Sequence, residues 1–131
     1  MKKINGKVIL IIAWLLVIGL LVYSRFINLE WGLPYPMHPD ERNMATAIQN
    51  LNCEISNFKF QISNFRECFN PHFFAYGQFP LYLGYLLIWF YKGFKNFGSL
   101  IISFEEAVMS LRVISAVASI INVIIIIKII N

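Results

Sequence analysis

The sequence predicts an all-α integral membrane protein, with two to three transmembrane helices and an external loop carrying juxtamembrane helices. Three observations predict it. Hydrophobic residues make up 58% of the 131 residues and charged residues only 14%, about half the usual charged share, which argues against a disordered chain and an ordinary soluble domain. Long apolar runs near both ends of the chain approach the thickness of a bilayer's hydrocarbon core. The 11 Lys and Arg outnumber the 7 Asp and Glu, yet the bases stand singly at the ends of apolar runs and form no patch, so no nucleic-acid partner is expected.

The first predicted transmembrane helix covers 8–27. Lys7 and Arg25 bracket the uncharged run VILIIAWLLVIGLLVYS, which nearly spans the hydrocarbon core if its flanking cations snorkel. A secretory signal is the competing reading, but no A-x-A-like site follows and the run is long for the apolar core of a signal. As an uncleaved anchor behind Lys2 and Lys3, it places the N-terminus in the cytoplasm by the positive-inside rule.

Residues 28–72 form an external loop with five acids (Glu30, Asp40, Glu41, Glu54, Glu67) and three bases (Arg42, Lys59, Arg66). Within it, WGLPYPMHPDERNMATAIQNL predicts a helix over 39–51. Pro34 and Pro36 hold the chain extended, and Pro39 suits the first helical position, followed by Asp40 and Glu41 at the positive helix end. Met44, Ala47, Ile48 and Leu51 repeat at the spacing of an apolar stripe, and Asp40 lies one turn before Met44, close to that face. The helix dipole favours the ionised carboxylate and partial burial opposes it, the balance a general base needs. The plainer alternative is that Asp40 and Glu41 only cap the helix. A divalent metal held by His38, Asp40 and Glu41 is opposed by geometry, since residues two apart do not share a helix face and hard cations want more oxygens.

The segment 53–67 reads as an insertion, because I-S-N-F recurs at a period of seven in ISNFKFQ and ISNFREC. Two copies make no solenoid, so this is a flexible excursion or a short helix or hairpin. Cys53 and Cys68 bracket it and either form a disulfide or stay as thiols.

Residues 73–91 predict a third helix, either juxtamembrane or transmembrane. The run FNPHFFAYGQFPLYLGYLLIWFY is uncharged but rich in aromatics, Pro and Gly, the composition of an interfacial belt or a broken helix. The last predicted transmembrane helix covers 107–130, interrupted only by Arg112 and Lys128, with small residues in its first half and isoleucines in its second.

The order of these parts resembles the N-terminal end of the GT-C superfamily of glycosyltransferases, in particular the protein O-mannosyltransferase and lipid A aminoarabinose transferase group. The match is carried by HPDE at 38–41 in the first external loop, NPHFFAYGQFPLYLGYL at 70–86, and an Arg, here Arg112, opening LRVISAVASIINVIIII. The resemblance implies an inverting enzyme of the cytoplasmic (plasma) membrane that moves a sugar from a polyprenyl-phosphate donor to an acceptor on the extracytoplasmic side. It implies Asp40 as the general base, with Glu41 positioning substrate or base. It implies no certain cofactor; a divalent metal is the one open case.

Candidate substrate-binding residues are His38, Arg42, His72, Gln78, Tyr82 and Arg112. For His72 and Gln78 the competing role is a structural hydrogen bond, and for Arg112 a snorkelling anchor rather than contact with an anionic lipid phosphate. Family members often carry a charge just before the Pro matched by Pro80, where this chain has Gln78 and Phe79. Such enzymes also have many further membrane helices, so the expectation is an N-terminal fragment, inactive alone, whose partners are the lipid-linked donor, membrane lipid and the remaining helices of a longer transferase. The alternative is a non-catalytic small membrane protein or truncated remnant with a helix-packing role.

Overall fold

The computed structural model describes residues 6–51, 69–95 and 101–130. The repeat insertion at 53–67 and the cysteines at 53 and 68 lie outside the described residues. Four helices run in order: α1 (Gly6–Phe26), α2 (Pro39–Asn50), α3 (Phe79–Lys95) and α4 (Phe104–Ile130). There is no strand among the described residues. The chain divides into two units, 1–29 with 116–131, and 30–115.

In the first unit, α1 buries none of its side chains. Its 21 residues give a length of roughly 31 Å, matching a bilayer's hydrocarbon core of about 30 Å. Apolar side chains exposed all round are what a lipid-facing helix presents, because hydrocarbon replaces protein as the surrounding medium. Two helices among the described residues, α1 and α4, are long and apolar enough to cross a membrane; α3, at 17 residues, is shorter than either.

The start of α4 differs from expectation, three residues ahead of 107. Ser103 and Glu106 form a reciprocal capping box: the Glu106 N–H donates to Ser103 Oγ at 3.2 Å, and the Ser103 N–H donates to Glu106 Oε2 at 2.9 Å. Glu106 also pairs with Lys92 of α3 at 2.8 Å. Glu105 and Glu106 therefore belong to the first turn of the helix rather than to the loop before it.

The second unit is a small core made by α2, α3 and the opening turns of α4. Ile48, Leu51, Leu81 and Val108 are fully enclosed, and burying side chains of this size stabilises by roughly 1.5–3 kcal/mol each. Small residues bring the helices close: Ala45, Ala47 and Ala107 are buried. At Gly84 a Cβ would stand 2.9 Å from Ile48 Cδ1 and 2.9 Å from Ser110 Oγ. Bonds at both ends of α2 fix its direction. Glu41 pairs with Arg112, and Gln49 Nε2 donates to the Ile102 carbonyl at 3.0 Å. α2 therefore runs antiparallel to the start of α4.

α3 buries Leu81, Gly84, Tyr85 and Ile88 on one face and exposes Leu86, Leu87, Trp89 and Phe90 on the other. It begins at Phe79 rather than at 73. His72 and Gly77 both have positive φ, 51° and 80°, so the chain between them turns instead of coiling. The linker ahead of α2 is likewise a chain of turns, not the extended segment expected from Pro34 and Pro36. Hydrogen bonds from Leu33 N–H to the Glu30 carbonyl and from Tyr35 N–H to the Gly32 carbonyl close them. Gly32, at φ +82°, sits where a Cβ would come within 3.0 Å of Met37 Cγ.

Candidate functional site

The first turn of α2 gathers the candidate residues. Pro39 occupies the opening position of the helix and His38 precedes it in extended conformation, φ −109° and ψ 125°. No side chain caps this end, but the His38 carbonyl accepts the Arg42 N–H at 3.0 Å and starts the helical ladder. Asp40 and Glu41 follow at the positive end of the helix dipole, where carboxylates are favoured.

The two acids have different surroundings. Glu41 faces inward and forms a forked ion pair with Arg112: Nε donates to Oε1 at 2.6 Å and Nη2 to Oε2 at 2.8 Å. A third Arg112 donor, Nη1, reaches the Trp31 carbonyl at 2.7 Å. The Glu41 and Arg112 side chains are 24% and 19% exposed. Parallel charge-assisted bonds of this kind fix geometry as well as charge. Asp40 instead is 53% exposed, and its Oδ1 accepts the Tyr76 hydroxyl at 2.8 Å. The hydrogen bond to Asp40, then the charge of Asp40, then desolvation raise the Tyr76 phenol above its ordinary range.

This overturns the reading from the sequence, which set Asp40 close to the apolar stripe and partly buried: the Asp40 side chain is turned to solvent, and Glu41 takes the inward place. Glu41, Ala45 and Ile48 lie on one face at helical spacing, and that face points into the core. Ala45 is fully buried, which shifts the stripe away from Asp40, and Arg112 supplies the charge that lets Glu41 enter a partly buried position.

The remaining candidates separate. His38 Nδ1 is 4.0 Å from Asp40 Oδ2, too long for a hydrogen bond, and His38 and Arg42 are both exposed. The Tyr82 hydroxyl donates to the Phe69 carbonyl at 2.7 Å and approaches Gln78 Oε1 at 3.4 Å. The Gln78 carbonyl accepts the N–H groups of Leu81 and Tyr82, both at 3.1 Å, at the start of α3. The His72 N–H donates to Asn70 Oδ1 at 3.1 Å. Arg112 is neither snorkelling alone nor turned out toward a phosphate; its guanidinium ties α4 to α2 and to the linker. Tyr76 is the residue that sequence reasoning passed over. No periodicity links it to Asp40, 36 positions away, and its only signal is a place among many aromatics.

Among the described residues no group of three His, Cys, Asp or Glu side chains is arranged to hold a metal ion. The arrangement offers one carboxylate locked in an ion pair and one, a residue earlier, more than half exposed. No protein-family model, curated protein or solved structure matches this chain.

Proposed function

We propose that this chain is the N-terminal part of an inverting membrane glycosyltransferase, with Asp40 as the general base. The observation that supports it is the contrast between neighbouring acids: Glu41 is consumed by Arg112, whereas Asp40, without the partial burial expected from the sequence, is more than half exposed and within reach of an acceptor. In the reaction, an acceptor hydroxyl attacks the anomeric carbon of a polyprenyl-phosphate-linked sugar. The carbon–oxygen bond to phosphate breaks, polyprenyl phosphate leaves, and the acceptor's proton passes to Asp40. Arg42 and His38, both exposed in the same turn, meet the donor phosphate. Glu41 acts through Arg112 to hold α2 in place and does not touch substrate.

With α1 and α4 crossing the cytoplasmic membrane and Lys2, Lys3 and Lys7 on the inner side, the first turn of α2 belongs to the extracytoplasmic face. α3 lies along the lipid interface, its exposed Trp and Phe residues suiting the headgroup level. Remaining helices of the transferase complete the site.

The second reading is a non-catalytic membrane protein in which both acids serve packing. It is favoured by the fact that each acid has a protein partner, Tyr76 or Arg112. One experiment separates the two. Native membranes, which supply whatever further helices the reaction needs, are given a polyprenyl-phosphate-linked radiolabelled hexose, and transfer to endogenous acceptors is followed. Asp40→Asn should abolish transfer at unchanged helix content. Undiminished transfer by Asp40→Asn, or none by the wild type, supports the packing reading.

A further inference from the structure

We propose that Tyr76 is the positioning residue of the Asp40 carboxylate, its hydroxyl holding Oδ1 at 2.8 Å so that Oδ2 is presented to the acceptor. The inference rests on the glycosyl-transfer reading and adds a residue from a separate segment of the chain.

The local structure on either side of Tyr76 is built from many small bonds. Pro71 is fully enclosed, Asn70 Oδ1 holds the His72 N–H, and the Tyr82 hydroxyl holds the Phe69 carbonyl. Phe73 packs against the core and meets the Tyr76 ring at a centroid separation of 5.7 Å. Gly77, at φ +80°, turns the chain directly after Tyr76, a conformation open to glycine at no steric cost. Tyr76 itself is 54% exposed, so burial does not explain its place. What the segment delivers is a hydroxyl to a carboxylate.

The chemistry suits that role. A phenol beside a carboxylate keeps its proton, because the hydrogen bond to Asp40 and the charge of Asp40 raise the Tyr76 pKa. Tyr76 therefore donates and Asp40 accepts throughout, and Tyr76 neither gives up nor takes the proton that is transferred. The first turn of α2 is then held from two sides, Glu41 by Arg112 and Asp40 by Tyr76. A base fixed in orientation reacts faster than one that must find its rotamer in each encounter.

Tyr76→Phe keeps the ring and removes only the hydroxyl. In the native-membrane assay with polyprenyl-phosphate-linked hexose as donor, Tyr76→Phe should lower kcat about tenfold, the upper end for one ordinary solvent-exposed hydrogen bond, and leave KM unchanged. A second readout needs no turnover. The phenolate absorbance difference between wild type and Tyr76→Phe should titrate above the ordinary tyrosine range and return toward it in the Asp40→Asn background. If Asp40→Asn abolishes transfer while Tyr76→Phe leaves kcat intact, the positioning role is wrong and the base assignment stands. If the phenolate titration ignores Asp40→Asn, the contact itself is absent and the proposal falls. If Asp40→Asn leaves transfer intact, the glycosyl-transfer reading falls and this inference with it.

Discussion

Replacing Glu41 by alanine removes the acceptor of two short charge-assisted bonds from Arg112, at 2.6 and 2.8 Å. It leaves a guanidinium that is only 19% exposed. An exposed ion pair contributes at most about 1 kcal/mol, and breaking a fully buried one costs about 3–5 kcal/mol. The partial burial of this pair places Glu41→Ala between those limits, at about 2–3 kcal/mol. Arg112→Met should cost a similar amount, because it orphans the Glu41 carboxylate and the Trp31 carbonyl. The two losses share one interaction, so Glu41→Ala with Arg112→Met should be less destabilising than the sum, by about 1–2 kcal/mol. The assay is denaturant unfolding of the detergent-solubilised protein, followed by circular dichroism at 222 nm. An Glu41→Ala variant within about 0.5 kcal/mol of wild type would refute the argument, as would strict additivity of the pair.

Other consequences follow from the same geometry. Gly84→Leu pushes a side chain into the 2.9 Å gaps toward Ile48 and Ser110 and should destabilise by about 1–3 kcal/mol. Gly84→Ala should be near neutral, since the atoms it meets are rotatable side-chain ends and alanine regains about 1 kcal/mol of helix propensity; the unfolding assay distinguishes them. Ser103→Ala breaks the capping box of α4 and should cost about 1 kcal/mol, read in the same way. The Tyr76 phenol titrates above its usual value of 10.0 in the folded protein. Its bond to Asp40 therefore contributes fully below that value and is lost as pH rises through the folded pKa. Near-ultraviolet circular dichroism should show this alkaline change in wild type and not in Tyr76→Phe.

Local chemistry made α2 readable: a proline, two acids and an apolar stripe predict 39–51, and the helix observed is Pro39–Asn50. Its inward face was less so, because Ala45 carries little hydropathic signal yet is fully buried. The start of α4 was written in the sequence as Ser-Phe-Glu-Glu, but counting apolar residues passes over a charged first turn. The assignment of inward and outward acids was not legible at all. It depends on Arg112, 71 positions from Glu41, and on Tyr76, and contacts at such separations leave no periodic trace. For the same reason Tyr82 reads as a substrate contact, although its hydroxyl bonds the Phe69 carbonyl and approaches Gln78 Oε1, the structural kind of bond that the sequence left open for Gln78.

A base can be told from a merely structural carboxylate by replacing the nucleophile that needs it. With Asp40→Ala in native membranes, hydroxyl acceptors should receive no sugar, whereas added azide, an anion that needs no deprotonation, should restore release of polyprenyl phosphate and yield a glycosyl azide of inverted configuration. Failure of azide to restore turnover in folded Asp40→Ala protein, or undiminished transfer to hydroxyl acceptors without it, would contradict the assignment of Asp40 as the base.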